Sequence, residues 1–105
     1  MADVAEVLQA VHDPTRRHLL EVMRGRECSV RELTEASDVS QSAVSQHLKV
    51  LRNAQLVSVR AEGTRRLYSV DTAGLSPVRA WVDSFWDDVL TAFTDYAADN
   101  ENEAP

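Results

Sequence analysis

A single cysteine, Cys28, excludes an internal disulfide framework. Three glycines, none in a Gly-rich loop, speak against a nucleotide site. No Ser-His-Asp arrangement and no paired carboxylates in an apolar setting occur, so no catalytic constellation is present. No apolar run approaches a membrane span, and the opening Met-Ala-Asp-Val carries no basic region that would mark a signal peptide. The expectation is a cytoplasmic chain, and 105 residues allow one domain with a small core.

Basic residues are also scarce, with a net charge of −6, which at first argues against a nucleic-acid partner. Their distribution reverses that. Residues 12–70 hold ten Lys or Arg against seven acids, a local balance of +3, whereas residues 71–105 hold one Arg against eight acids. Binding responds to local potential, so a basic centre can face DNA while acidic ends point away.

The basic centre contains Ser40 to Arg52, SQSAVSQHLKVLR. Ser40 is a good N-cap. At 100° per residue Val44, His47, Leu48 and Leu51 share one side of a helix, and Ser42, Ser45, Gln46, Lys49 and Asn53 the other, with Gln41 and Arg52 at its edge. That outer face carries no acid, and its side chains are the types that pair with phosphates and base edges. A solvated amphipathic helix would look the same in isolation, but the flanks decide. Upstream, Ser29-Val-Arg-Glu32 is a capping box opening a short helix with Leu33 and Ala36 inward. Asp38-Val39 makes the turn, so the pair reads as a helix-turn-helix. Downstream, Val57–Arg60 and Leu67–Val70 read as strands around Glu62-Gly63, with Arg60, Arg65 and Arg66 clustered on the hairpin. A basic hairpin after such a helix is a wing.

With these residues in place, SQSAVSQHLKVLRNAQLVSVRAEGTRRLYSV resembles the winged helix of the ArsR family of bacterial transcriptional repressors. Asp13-Pro-Thr-Arg-Arg17 followed by His-Leu-Leu resembles that family's second-helix opening, and the likeness spans residues 4 to 97. It implies a homodimeric DNA-binding repressor, often acting on its own promoter. Duplex contacts would come from Gln41, Ser42, Ser45, Gln46, Lys49, Arg52, Arg60, Arg65 and Arg66. Two positions depart from the family pattern, which has Gly at Asp38 and at Gln55. A left-handed backbone at both is implied, and Gln55→Gly is expected to stabilise by about 0.5–1 kcal/mol. The positions matching the family's thiolate pair hold Ser29 and Arg31, and the last helix lacks His, so no metal site and no cofactor are expected. Cys28 reads as an inert side chain, with an intersubunit disulfide as the alternative.

The ends complete a mainly α fold with a β-hairpin, in the order α-α-α-α-β-β-α. Val4, Val7, Leu8 and Val11 form one stripe of a first helix. Asp13 caps a second, with Pro14 at its first position, Leu19, Leu20 and Met23 inward and Gly25 as its stop. Arg16 and Arg17 read as solvated or paired with Glu21 rather than on phosphate. After a polar break at Asp71–Gly74, Ser76-Pro77 reads as N-cap and first turn of a helix to about Ala98. Its apolar residues cover nearly twice the arc that one small core needs. A second subunit on Val4, Val7, Leu8, Trp81, Val82, Phe85, Trp86, Val89 and Phe93 is the expected cover. Residues 1–98 would form the domain and 99–105 a disordered acidic tail. A repressor released by an unseen effector, and a winged helix that binds protein, remain as alternatives. The basic wing and acid-free face speak against the second.

Overall fold

The computed structural model describes residues 2–102, with side chains as far as Ala98. Helix α1, Val4–His12, starts at Asp3, whose carboxylate accepts the Glu6 N–H at 2.9 Å. Helix α2, Pro14–Val22, is capped by Asp13, which accepts from Thr15 and Arg16. A two-residue strand β1, Cys28–Ser29, leads into α3, Val30–Glu35, and both halves of the Ser29–Glu32 capping box are formed. Helix α4 spans Gln41–Asn53. Strands β2, Val57–Glu62, and β3, Arg65–Val70, make the hairpin around Gly63-Thr64. A 3₁₀ turn, Thr72–Leu75, runs directly into α5, Ser76–Asn102. This is a winged helix-turn-helix with a long C-terminal helix.

The core is where the apolar periodicities meet. Leu19 of α2 and Met23 at its C-cap, Leu33 of α3, and Val44, Leu48 and Leu51 of α4 are buried with Val7, Cys28 and Leu56. Burying a side chain of this size contributes roughly 1.5–3 kcal/mol. The sheet order is β1-β3-β2, and β1 meets β3 only at Cys28↔Tyr68 and Ser29↔Leu67. The hairpin beyond those pairs is a two-stranded ribbon.

Several expectations need correction. Val7 is wholly buried in the protomer's own core and cannot also meet a second subunit. Ala36 is exposed, because α3 ends before it and it serves as C-cap. Ser76 is not an N-cap: its backbone is already helical and its hydroxyl donates to the Ala73 carbonyl, because the 3₁₀ turn precedes it. Asp38 is not left-handed; Gln55, with φ of 62°, is the only non-glycine with positive φ among the described residues. Helix α5 runs to Asn102, four residues past its expected end, since no Gly or Pro interrupts Asp99–Asn102. The rest of the expected tail, residues 103–105, lies outside the described residues.

The corner after α4 is built on Gln55. The Leu56 N–H donates to the Leu51 carbonyl, and the Leu56 carbonyl accepts from Asp71. The Gln55 side chain adds a tether: its Oε1 accepts the Ala2 N–H at 3.1 Å, which holds the start of the chain against the corner. Gly74 packs so closely that a Cβ there would overlap the Gln55 carbonyl oxygen. Gln55→Gly therefore relieves the left-handed backbone but loses a hydrogen bond. The two effects are each about 1 kcal/mol and nearly cancel, so the stabilisation expected from sequence should shrink to within about 0.5 kcal/mol of zero. Gly74→Ala should cost about 3 kcal/mol, because backbone and not a flexible side chain must move. Urea unfolding of both variants checks this, and a Gly74→Ala protein as stable as the parent would show that the corner is looser than described.

Candidate nucleic-acid interface

Helix α4 presents its sequence-derived faces as read. Val44, Leu48 and Leu51 point into the core, while Gln41, Ser42, Ser45, Gln46, Lys49, Arg52 and Asn53 are exposed. The Ser40 hydroxyl accepts the Ala43 N–H at 3.1 Å, so the first turn of α4 is fixed at the end that carries Gln41, Ser42 and Ser45. Ser45, Lys49, Arg52 and Asn53 border a groove of about 420 Å³ closed on its far side by Tyr68 of β3. Val50 was not singled out by sequence reasoning. It is 40% exposed one turn after Gln46 and adds an apolar contact to the polar face. Its signal was an apolar residue standing outside the Val44–Leu48–Leu51 stripe.

Alternation along β3 puts Arg66 on the Tyr68 face and Arg65 on the Leu67 face. Both border a hollow of about 680 Å³ between α3 and the hairpin, with Thr64, Arg31 and Glu35. Within the described residues, Lys49, Arg52, Arg65 and Arg66 enter no ion pair, whereas the other basic side chains near the motif are mostly engaged. Arg31 bonds Glu35 at 3.2 Å and Arg24 bonds Glu21 at 2.6 Å. Arg16 donates from Nε to the Ala10 carbonyl at 2.6 Å and from Nη2 to the Gln9 carbonyl at 3.2 Å, closing the end of α1. Arg60 also stands apart from its expected companions: it grips Glu27 with two bonds, of 2.5 and 2.9 Å, and reaches Glu62 at 3.1 Å.

Helix α5 leaves the domain after Val78, which packs on the core. Beyond it Trp81, Val82, Phe85, Trp86, Val89, Leu90, Phe93 and Tyr96 are all exposed, with Phe93 at 69%. None of these rings fills the protomer's core. Trp81 and Phe85 meet edge to face with centroids 5.1 Å apart. Leu8 of α1 is also exposed, and Val4 is half-buried. The radius of gyration, 20.0 Å, exceeds the roughly 13 Å of a compact chain of this length because α5 projects.

Cys28 is fully buried, and burial pushes its thiol pKa up. It is therefore neither a nucleophile nor poised for a disulfide between subunits. Among the described residues no three of His, Cys, Asp and Glu come together as a cation site, and no helix is long and apolar enough to cross a membrane.

A polar, acid-free helix followed by a hairpin with two unpaired arginines completes the winged helix-turn-helix. Comparison with known proteins gives the family. The model of the arsR family of bacterial regulatory proteins matches residues 13–59. The HTH-type transcriptional regulator Rv2034 of Mycobacterium tuberculosis is 46% identical over 85 residues, 81% of this chain and 79% of that protein. The transcriptional repressor SdpR of Bacillus subtilis is 30% identical over 79 residues, covering 75% and 88% of the two chains. The solved ArsR-like transcriptional regulator from Rhodococcus sp. RHA1 superposes with a TM-score of 0.74 at 27% identity, covering 90% of this chain and 89% of that one. The chain belongs to the arsR family; it is a DNA-binding transcriptional regulator and not an enzyme.

Three carboxylates that hold the scaffold are depressed below their ordinary range. Asp13 is lowered first by the Arg16 N–H, Glu32 first by the Ser29 N–H, and Glu27 first by the Arg60 guanidinium. Each folded pKa lies below its unfolded value, so each contributes stability above the ordinary carboxylate range and loses it as pH falls through the folded value. The melting temperature should be flat from about pH 7 to 5 and fall below about pH 4. Glu32→Gln should make that fall shallower. Calorimetry across this range decides it, and a melting temperature that rises on acidification would contradict these assignments.

Proposed function

We propose that this chain is a homodimeric repressor that binds an inverted-repeat operator and is not controlled by metal. The observation that carries the DNA assignment is the division of the cations. Among the described residues Lys49 and Arg52 stand unpaired on the acid-free face of α4, and Arg65 and Arg66 stand unpaired on the hairpin, beside α3. Gln46 and its neighbours would read base edges, Val50 would meet a thymine methyl, and the wing arginines would lie on phosphate. Residues 1–98 act as one domain whose first and last helices carry the subunit contact. Support for the dimer is the row of exposed rings on α5 with Leu8 beside it, an apolar surface too large for a soluble monomer to leave in water. A two-fold axis would set the recognition helices about one duplex turn, ~34 Å, apart.

A mobility shift with the chain's own upstream DNA at several salt concentrations tests the first part. Gln46→Ala should cost about 1–3 kcal/mol per half-site and relax base choice at one position. Arg65→Ala should weaken all sequences alike and flatten the salt slope by about one for each phosphate that is no longer neutralised. Unchanged affinity in both variants would sink the assignment. Zinc, cadmium or arsenite at low micromolar concentration should not release the complex, and a tenfold release by any of them would restore metal control.

Light scattering tests the second part. The parent should be a dimer at micromolar concentration, and Phe85→Asp should yield monomer or insoluble protein without operator binding. A monomeric parent would end the dimer proposal.

One observation favours an organic effector as a second reading. A cavity of about 770 Å³ opens among Leu20, Met23, Leu56, Val70 and Leu75, where α2, the wing's root and the foot of α5 meet. An apolar small molecule there would touch both the DNA-reading and the exposed-helix parts of the chain.

A further inference from the structure

The wing is only partly supported by the sheet. Strand β2 is an edge strand paired with β3 alone, and β1 reaches no further along β3 than Leu67. From Arg60 and Leu67 to the tip the hairpin is a two-stranded ribbon, a form that is marginally stable and free to twist on its own. Arg65 and Arg66 sit on that ribbon.

Arg60 stands at the boundary. It lies opposite Leu67, which lies opposite Ser29, so the three form a row across all three strands. From one end of the row Arg60 reaches to Glu27, the residue just before β1, and binds both carboxylate oxygens. Leu67 is 6% exposed, although it faces away from the Tyr68 side. Strand β3 lies between β2 and β1, so the Arg60 side chain has to span it to reach Glu27. The anchor itself is firm, because Cys28 is buried in the core and Ser29 is locked in the capping box of α3.

We propose that Glu27 and Arg60 are positioning residues: their two-pronged ion pair straps the edge strand across the sheet, fixes the angle of the wing and so aims Arg65 and Arg66, while Arg60 itself makes no phosphate contact. This rests on the wing meeting DNA. A fork-to-fork pair is the geometry that fixes direction as well as distance. Glu27 thus does for the wing what a phosphate would otherwise do for Arg60, and it removes from DNA one of the cations that the hairpin pattern offers.

The test is operator affinity by fluorescence anisotropy at several KCl concentrations for the parent, Glu27→Ala, Arg60→Ala and the double variant. Both single variants should bind about two- to fivefold more weakly, the range a half-exposed ion pair is worth. The double variant should be no weaker than either, and the salt slope should equal the parent's. A salt slope lower by about one per phosphate in Arg60→Ala, with tighter binding in Glu27→Ala, would make Arg60 a phosphate ligand and overturn the proposal. Unchanged affinity in both single variants would overturn it equally. Amide hydrogen exchange without DNA separates the strap from the DNA reading. In Glu27→Ala the amides of Ala61–Arg66 should exchange faster while those of α2 and α4 keep the parent's rates, and unchanged exchange at the tip refutes the strap whatever the protein binds.

Discussion

The left-handed backbone at Gln55 is the joint on which the rest of the molecule depends. It turns the chain from α4 into β2 within the three residues 54–56, which lets Leu56 bond back to Leu51 and forward to Asp71. An L-residue adopts this conformation at a cost of about 1–2 kcal/mol, and the surroundings hold it there. Ala2 donates to its side chain, Gly74 closes on its carbonyl, and Leu56 is buried beneath it. The recognition helix, the wing, the start of α1 and the foot of α5 thus share one small contact region. A family pattern that uses glycine here obtains the turn without strain; this chain uses glutamine and gains a tether to its N-terminal residues.

Function then follows from which charges the scaffold consumes. Asp13, Glu32 and Glu27 are acids used as structural acceptors, for the α2 cap, the α3 cap and Arg60. Arg16 is a cation used to close a helix end. What remains unpaired on the described surface of the motif is Lys49 and Arg52 on α4 and Arg65 and Arg66 on the hairpin. An acidic protein thereby keeps a local attraction for a polyanion, since exposed charges more than about 10 Å away are largely screened at ordinary salt.

How much of this could be read in the residues depends on range. The α4 faces, the Asp13 cap and the Ser29–Glu32 box rest on spacings of two to four residues, and all are formed. The hairpin was legible from its glycine and alternating strands, though each strand runs further toward the turn than its apolar residues indicated. Contacts between distant segments left no such trace. Strand β1 is two residues long and exists only because β3 pairs with it. Arg60 and Glu27 are 33 residues apart, so the pattern that placed Arg60 in a basic cluster could not show that an acid already holds it. Val7 shares a helical stripe with Leu8, and only the packing of α1 decides that one is buried and the other exposed. The over-wide stripe of α5 was legible because an excess of aromatic residues needs no partner to be counted.

Cys28 has a use that comes from its silence. Its sulfur belongs to the sequence's only thiol and is fully enclosed, on the strand that joins the helix-turn-helix to the wing. A thiol reagent can reach it only when β1 lifts from β3 or the domain opens altogether, so its labelling rate is a clock for those openings. When reclosing outpaces labelling, comparison with the rate of an unfolded peptide gives the free energy of the excursion. The protein carries its own single-site reporter of native-state breathing, placed where the wing's sheet meets the helix-turn-helix.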